Sequence, residues 1–186
     1  MKTDISAVCS DLEKVAENAR QDFGSLSTQQ LNWKPDEKSW SVAQCFDHLI
    51  TTHSLYFPVL QRLSRGDKQS SFLERFSPAS GFFGRLLIKN LDPTNLKKMK
   101  STPAVEPSTS EIGGDIVDRF CAHQHELIKH IQTLPPDIDP AKTIITSPLL
   151  GFVTYNLEDC FTVLVVHCQR HFGQAKRVTE VAGFPA

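Results

Sequence analysis

Two histidines near the C-terminal end of the chain have a spacing that suits metal chemistry. His167 and His171 lie four residues apart in the stretch VVHCQRHFGQ, which otherwise has the pattern of an amphipathic helix. Imidazoles at positions i and i+4 of a helix project in the same direction, so both can bind one divalent ion. The pair alone also fits two polar residues at the edge of a core. A metal site needs at least a third ligand from another helix, and a catalytic one keeps positions open for water.

The first half of the chain contains two helical patterns that can supply such a partner. From Asp4 to about Leu26, apolar residues recur at steps of three and four, which predicts an amphipathic helix. A second helix is predicted to begin at Ser41, because Gln44 completes a capping box with it. Its apolar face extends to about residue 63, and Pro58 lies within it, so we expect a kink or a break there.

The second half supplies two further helices. Proline and glycine weaken the pattern over residues 66–107, where we expect a long connection with a short helix at 82–91. A capping box at Ser108 and Glu111 predicts the start of a third helix, which ends before Pro135. The fourth helix, which carries the histidine pair, is predicted to follow Thr154 as its N-cap. No strand pattern of comparable strength is present. These patterns predict an all-α four-helix bundle in a single domain over residues 1–186.

Composition excludes several classes of function. The chain has 186 residues and a net charge of -1, which gives no electrostatic basis for binding nucleic acid. Its longest apolar runs are far shorter than the roughly 20 residues that a membrane span needs. Acidic residues occupy the N-terminal stretch where a signal peptide would be apolar, so we expect a cytoplasmic protein. Its five cysteines include no CxxC pair and fall within helical patterns, as expected for reduced, buried thiols.

Two separated stretches resemble the DinB-like superfamily. Trp33–Leu49 reads WKPDEKSWSVAQCFDHL, and His167–Gln174 reads HCQRHFGQ. Members of the superfamily typically show a Trp-x-Pro stretch, a Trp-Ser helix start, a His-Leu about two turns later and a terminal His-x-x-x-His-x-x-Gln. The matching positions are Trp33, Pro35, Trp40, Ser41, His48, Leu49, His167, His171 and Gln174.

The resemblance implies a metal-binding bundle. The expected topology is up-down-down-up, with the long connection between the second and third helices. The family places three histidines around a divalent ion, often nickel or zinc, and by position these are His48, His167 and His171. It also includes bacterial enzymes that transfer low-molecular-weight thiols to electrophiles, and it suggests a homodimer.

The third ligand has a competitor on the same helix. By helical periodicity His53 lies nearest the centre of the apolar stripe, whereas His48 lies on its flank. We favour His48, because the histidine pair is also on a flank, and interpret His53 as a core residue or a partner of a ligand. Gln174 and Asp47 are further candidates for a place next to the ligands. Asp47 could accept from a ligand imidazole, and Gln174 could hydrogen-bond a bound water or cap a neighbouring carbonyl. Cys168, between the pair, is interpreted as core packing.

Three functions follow from these residues. The first is a metal-dependent thiol S-transferase in which His48, His167 and His171 hold the ion and a small thiol attacks an electrophile. The second is a metal-dependent hydrolase, for which the sequence nominates no clear general base. The third is a metal-binding or structural bundle without turnover. The sequence does not identify the metal, the thiol or the electrophile, since three imidazoles accept several divalent ions.

Overall fold

The computed structural model describes residues 4–67, 74, 80–95, 97 and 102–186. Within this part the chain is mostly helical, as the sequence predicts. The elements in chain order are α1 (Ile5–Phe23), α2 (Thr28–Asn32), α3 (Val42–Ser54), α4 (Phe57–Ser64), α5 (Ser80–Leu91), a 3-10 turn (Pro103–Val105), α6 (Ile116–Gln132), β1 (Ile144–Thr146), β2 (Thr154–Asn156) and α7 (Leu157–Thr179). The exact four-helix topology and the single domain stay predictions, and much of the long connection lies outside the described residues.

The start of α3 is fixed by the capping box that the sequence predicts. The Ser41 hydroxyl accepts from the Gln44 amide at 3.1 Å, and the Gln44 side chain accepts from the Ser41 amide at 3.2 Å. The helix ends at Ser54, and Pro58 lies in the first turn of α4. Proline cannot continue a helix because its ring clashes with the carbonyl four residues before, but the first helical turn tolerates it. The predicted second helix is therefore two helices.

The prediction that the third helix begins at Ser108 is wrong. The helix α6 begins at Ile116, and no side chain caps it. Gly113 and Gly114 lie just before its N-cap residue, Asp115, and glycine has a low helix propensity. The Ser108 amide instead donates to Asp47, and its carbonyl accepts from Gln44, which holds this loop against the start of α3.

The prediction for the start of the fourth helix is also wrong by two residues. Asn156, not Thr154, caps α7, because its side chain accepts from the Asp159 amide at 2.6 Å. Thr154 begins β2, which pairs antiparallel with β1 and places Thr154 opposite Thr146. Three-residue strands are too short to show alternation, so no strand pattern is visible in the sequence.

The long helices pack around one apolar core. α1 contacts α6 and α7, α3 contacts the same two helices, and α5 lies against α7 and β2. The predicted short helix at 82–91 is confirmed as α5, whose Phe83 and Leu87 pack on the core. Among the described helices, none combines the length and the apolar character required to cross a membrane. The facing pair α3 and α7 positions the histidines.

Candidate metal centre

The structure brings together the three histidines that the resemblance nominates. His48 lies on α3, and His167 and His171 lie one turn apart on α7. Each is at least nine-tenths buried, with exposed fractions of 5%, 7% and 7%. One ring nitrogen from each can be chosen so that all three lie within 4.8 Å of one another. The sequence separation between α3 and α7 means that only the tertiary fold could create this cluster.

A backbone carbonyl sets the orientation of His48. Its Nδ1 lies 2.6 Å from the carbonyl oxygen of Val105, at the end of the 3-10 turn. A carbonyl can only accept, so Nδ1 carries the proton and donates it. The Nε2 of a neutral His48 is then left with a lone pair, which is the form that binds a metal ion.

A side-chain amide orients His171 in the same sense. The Nδ1 of His171 lies 3.1 Å from the Oε1 of Gln174, one turn further along α7. Because Oε1 is an acceptor, Nδ1–H donates to it and the Nε2 of His171 keeps its lone pair. Gln174 thus accepts a hydrogen bond from a candidate ligand, a role that differs from the bond to water or to a carbonyl considered from the sequence.

The third imidazole is held between two other histidines. His167 Nε2 lies 3.2 Å from His48 Nε2, and His167 Nδ1 lies 3.1 Å from His53 Nε2. When the His167 Nδ1–H donates to His53, the Nε2 atoms of His48, His167 and His171 are all unprotonated and all available to one ion. His53 Nδ1 then carries its proton toward the Sγ of Cys168, 3.9 Å away.

The spacing between the candidate ligand nitrogens fits a divalent ion. Two nitrogens bound at about 2.0–2.1 Å to one tetrahedral zinc lie about 3.3 Å apart. The separation of 3.2 Å between the Nε2 atoms of His48 and His167 is close to that value. Two lone pairs facing each other at this distance repel unless a cation or a proton lies between them.

The electrostatics of the site also suit a ligand set. Burial lowers the pKa of His48, although the bond to Val105 and the nearby Asp47 act in the opposite direction. Burial, together with the neighbouring imidazoles, holds the pKa values of His53, His167 and His171 well below the usual range. All four rings are therefore neutral at pH 7, and neutral imidazole is the metal-binding form.

His53 lies behind the cluster. It is fully buried, as its central place on the apolar stripe predicts, and its Nε2 faces His167 on the side away from His48. The structure thus gives His53 the position of a hydrogen-bond partner, while His48 joins the cluster.

Two other residues singled out from the sequence have structural partners. Asp47 accepts from the Ser108 amide at 2.9 Å, and no hydrogen bond among the described residues joins it to His48, His167 or His171. Burial raises the pKa of the Cys168 thiol, which lies against Gln124 with its Sγ 3.7 Å from Oε1. A protonated, fully buried thiol packs in the core, as predicted.

The cluster opens onto a cleft. The cavity has a volume of about 910 Å³, and its lining includes the three histidines and Trp40. The indole of Trp40 stacks on His171 with ring centres 5.4 Å apart and lies 4.8 Å from the ring of His48. The sequence favours Trp40 as a core anchor at the start of the helix over a platform for substrate. Its position two residues before the helix that carries His48 was the available signal for a role in the site.

Arg170 joins the cleft wall to a segment distant in sequence. Its guanidinium donates to the backbone carbonyls of Asp92, Asn95 and Lys97, which follow α5. Burial is the larger cause that lowers the pKa of Arg170, and the nearby positive charge of Arg177 lowers it further. No helical pattern could have indicated this contact, because its acceptors are backbone atoms.

The protein is mostly helical, and three buried imidazoles lie beside a cleft. Together these features define a helical protein with a candidate metal centre. The chain belongs to the DinB superfamily, whose family model matches residues 11–175, a range that contains His48, His167 and His171. The match confirms the resemblance seen in the two sequence stretches. Comparison with curated proteins and with solved structures found no match.

Proposed function

We propose that the protein is a divalent-metal-dependent enzyme that transfers small thiols to electrophiles. The observation that carries the proposal is the shared orientation of His48, His167 and His171. Each has an Nδ1 within hydrogen-bonding distance of an acceptor, so that each Nε2 can be directed to the same ion. Nickel and zinc are the ions that we favour, since both accept neutral imidazole.

The chain's own residues would bind and orient the reactants. Three histidines leave open positions on an ion, whose charge would lower the pKa of a thiol there. Trp40 covers one side of the His171 ring and restricts the approach of water and reactants to the cleft side. The transfer would form a bond from the thiol sulfur to an electrophilic carbon and break the bond from that carbon to a departing group, which would leave with the electron pair. The thiol proton would go to solvent or to the departing group.

The proposal includes the larger arrangement that the resemblance implies. We propose an up-down-down-up four-helix bundle that acts as a homodimer in the bacterial cytoplasm. Contacts of α1 and α3 with both α6 and α7 support a bundle. Light scattering on the purified chain would test the dimer.

Metal analysis of purified protein is the first test. We expect one equivalent of a divalent ion in the parent protein and a loss of that ion in the variants His48→Ala, His167→Ala and His171→Ala. His125→Ala is the matched control, because His125 pairs with Glu13 on another face of the bundle. Equal metal content in all variants would exclude both catalytic hypotheses.

A thiol assay is the second test. Loaded protein would be incubated with an electrophile in the presence and absence of a panel of bacterial thiols. Loss of the electrophile only with thiol supports the transferase, whereas equal loss in thiol-free buffer would indicate a hydrolase. Retained metal with neither reaction would indicate a binding bundle instead.

A further inference from the structure

The described lining of the cleft carries an excess of positive charge. Its cationic residues are Lys38, Arg170 and Arg177, and its one acidic residue is Glu106. The chain as a whole has a net charge of -1, so the composition of the cleft is not that of the protein surface.

Two of these cations are free to meet a ligand. Arg170 is already committed to three backbone carbonyls. Lys38 and Arg177 are both exposed, and no carboxylate in the described part of the chain forms an ion pair with either side chain. Lys176, the neighbour of Arg177, differs in this respect, because it pairs with Asp22 at 3.3 Å.

Arg177 lies against the preceding turn of its own helix. A Cβ placed on Gly173 would lie 3.5 Å from the Nη1 of Arg177, so the guanidinium lies over the preceding turn of α7. Arg177 also lines the cleft that contains the histidine cluster.

Much of the remaining wall is apolar. It includes Leu87 and Leu91 from α5 and Leu164 and Val178 from α7, all lining the same cleft. A cleft wall with a large apolar part and charged groups beside it favours a ligand with an apolar body and one polar head.

We propose that the substrate is a small amphipathic anion, with a carboxylate or phosphate head between Lys38 and Arg177 and its reactive atom at the histidine cluster. An arginine fork binds such oxyanions with two parallel hydrogen bonds, and a lysine adds a second charge. The inference rests on the proposed function, because it names the substrate class of the same site.

Binding of non-reactive probes tests the head group independently of turnover. Phenylbutyrate, phenylbutylphosphonate and the neutral phenylbutyramide would be titrated into the full chain by calorimetry, with and without a bound divalent ion. We expect an acid to bind about five- to tenfold more tightly than the amide, because the paired cations are partly solvated. The preference should shrink at about 1 M salt, where screening acts over a few ångströms. The stronger of the two acids identifies the head group as carboxylate or phosphate.

Variants assign the preference to the proposed residues. Arg177→Gln and Lys38→Gln should each reduce the preference for the acid over the amide, and the double variant should abolish it. Binding of the amide should stay unchanged. Arg119→Gln, which removes an exposed arginine from α6, is the matched control and should retain the preference.

The outcomes separate this inference from the proposed function. Equal binding of acid and amide, or a preference that survives the double variant, would overturn the inference even if the protein binds metal and transfers thiols. A second outcome is a protein that prefers the acid in a way that requires Arg177, yet binds no metal and transfers no thiol. That result would support the inference and reject the proposed chemistry. A preference seen only with the ion bound and unaffected by Arg177→Gln would assign the acid to the ion and overturn the inference.

Discussion

The Nε2 atoms of His48 and His167 lie 3.2 Å apart, although 119 residues separate the two histidines in the chain. This contact joins α3 to α7 and creates the candidate metal centre. Because Val105 fixes the proton of His48 on Nδ1, a neutral His167 has only two ways to meet it. It either donates a proton from Nε2 to His48 or, with its own proton on Nδ1 toward His53, shares a cation with His48.

His53 and His48 should differ in their effect on metal binding. We expect His48→Ala to abolish stoichiometric binding, because it removes a ligand. His53→Leu should keep the stoichiometry and lower the affinity by about tenfold to hundredfold, because it removes the acceptor of the His167 proton. Competition against a chelator of known affinity measures both. The reverse pattern, with binding lost in His53→Leu and kept in His48→Ala, would make His53 the third ligand.

Gln174 should support the metal site through His171. Gln174→Leu removes the acceptor of the His171 Nδ1–H bond, so we expect metal affinity to fall by about tenfold. Gln174→Glu keeps an acceptor at the same place and should restore the affinity.

Gln169→Leu is the matched control for Gln174→Leu, since Gln169 is an exposed residue of the same helix. It should leave metal affinity unchanged. An equal loss of affinity in Gln169→Leu and Gln174→Leu would show that the effect comes from the helix as a whole and not from the bond to His171.

Much of the fold follows from local signals in the sequence. The Ser41 capping box set the start of α3 correctly, because its two hydrogen bonds need only residues of the same turn. The same reasoning failed at Ser108, where a capping box is followed by Gly113 and Gly114 and the helix begins only at Ile116. A capping pattern thus predicts a helix only where the next residues also favour one.

Only those parts of the candidate site that consist of side chains with a recognisable sequence pattern could be predicted. The positions of His48, His167 and His171 followed from the family resemblance, and helical spacing related the last two. The carbonyl of Val105 could not be predicted, because a backbone oxygen has no residue-specific signal and the 3-10 turn lies 57 residues from His48. The stacking of Trp40 on His171 likewise depends on how α3 and α7 meet.

Gly84 should be required for the packing of α5 on α7. A Cβ at Gly84 would lie 2.1 Å from the Oδ2 and 2.7 Å from the Cβ of Asp159, which is too close for any side chain. We therefore expect Gly84→Ala to lower the free energy of unfolding by about 1–3 kcal/mol, measured by urea denaturation.

Gly81→Ala is the control in the same helix. Its Cβ would meet only the Nη1 of Arg85 at 3.3 Å, the end of a flexible side chain. We expect no loss and a gain of up to about 1 kcal/mol, since alanine favours the helix. Equal destabilisation by Gly81→Ala and Gly84→Ala would contradict the close contact between the two helices.

His123 should make the protein sensitive to acid. Burial lowers its pKa from 6.5 to about 4, so the folded state binds a proton less readily than the unfolded state. Above pH 6.5 both states are neutral at this ring, and the stability is fully present. As the pH falls below 6.5 the unfolded state takes up the proton first, and stability is lost down to about pH 4.

The variant His123→Phe removes this titration and keeps an aromatic ring against Phe57, on which His123 stacks. We expect the loss of unfolding free energy between about pH 7.5 and pH 4.5 to be smaller by about 2 kcal/mol than in the parent. A chelator is present throughout, so that metal release at low pH does not add to the measured loss of stability. His125→Phe, at a side chain that is 43% exposed, should follow the parent curve. If the curves of His123→Phe and the parent were parallel over this range, burial of His123 would not be a source of the acid sensitivity.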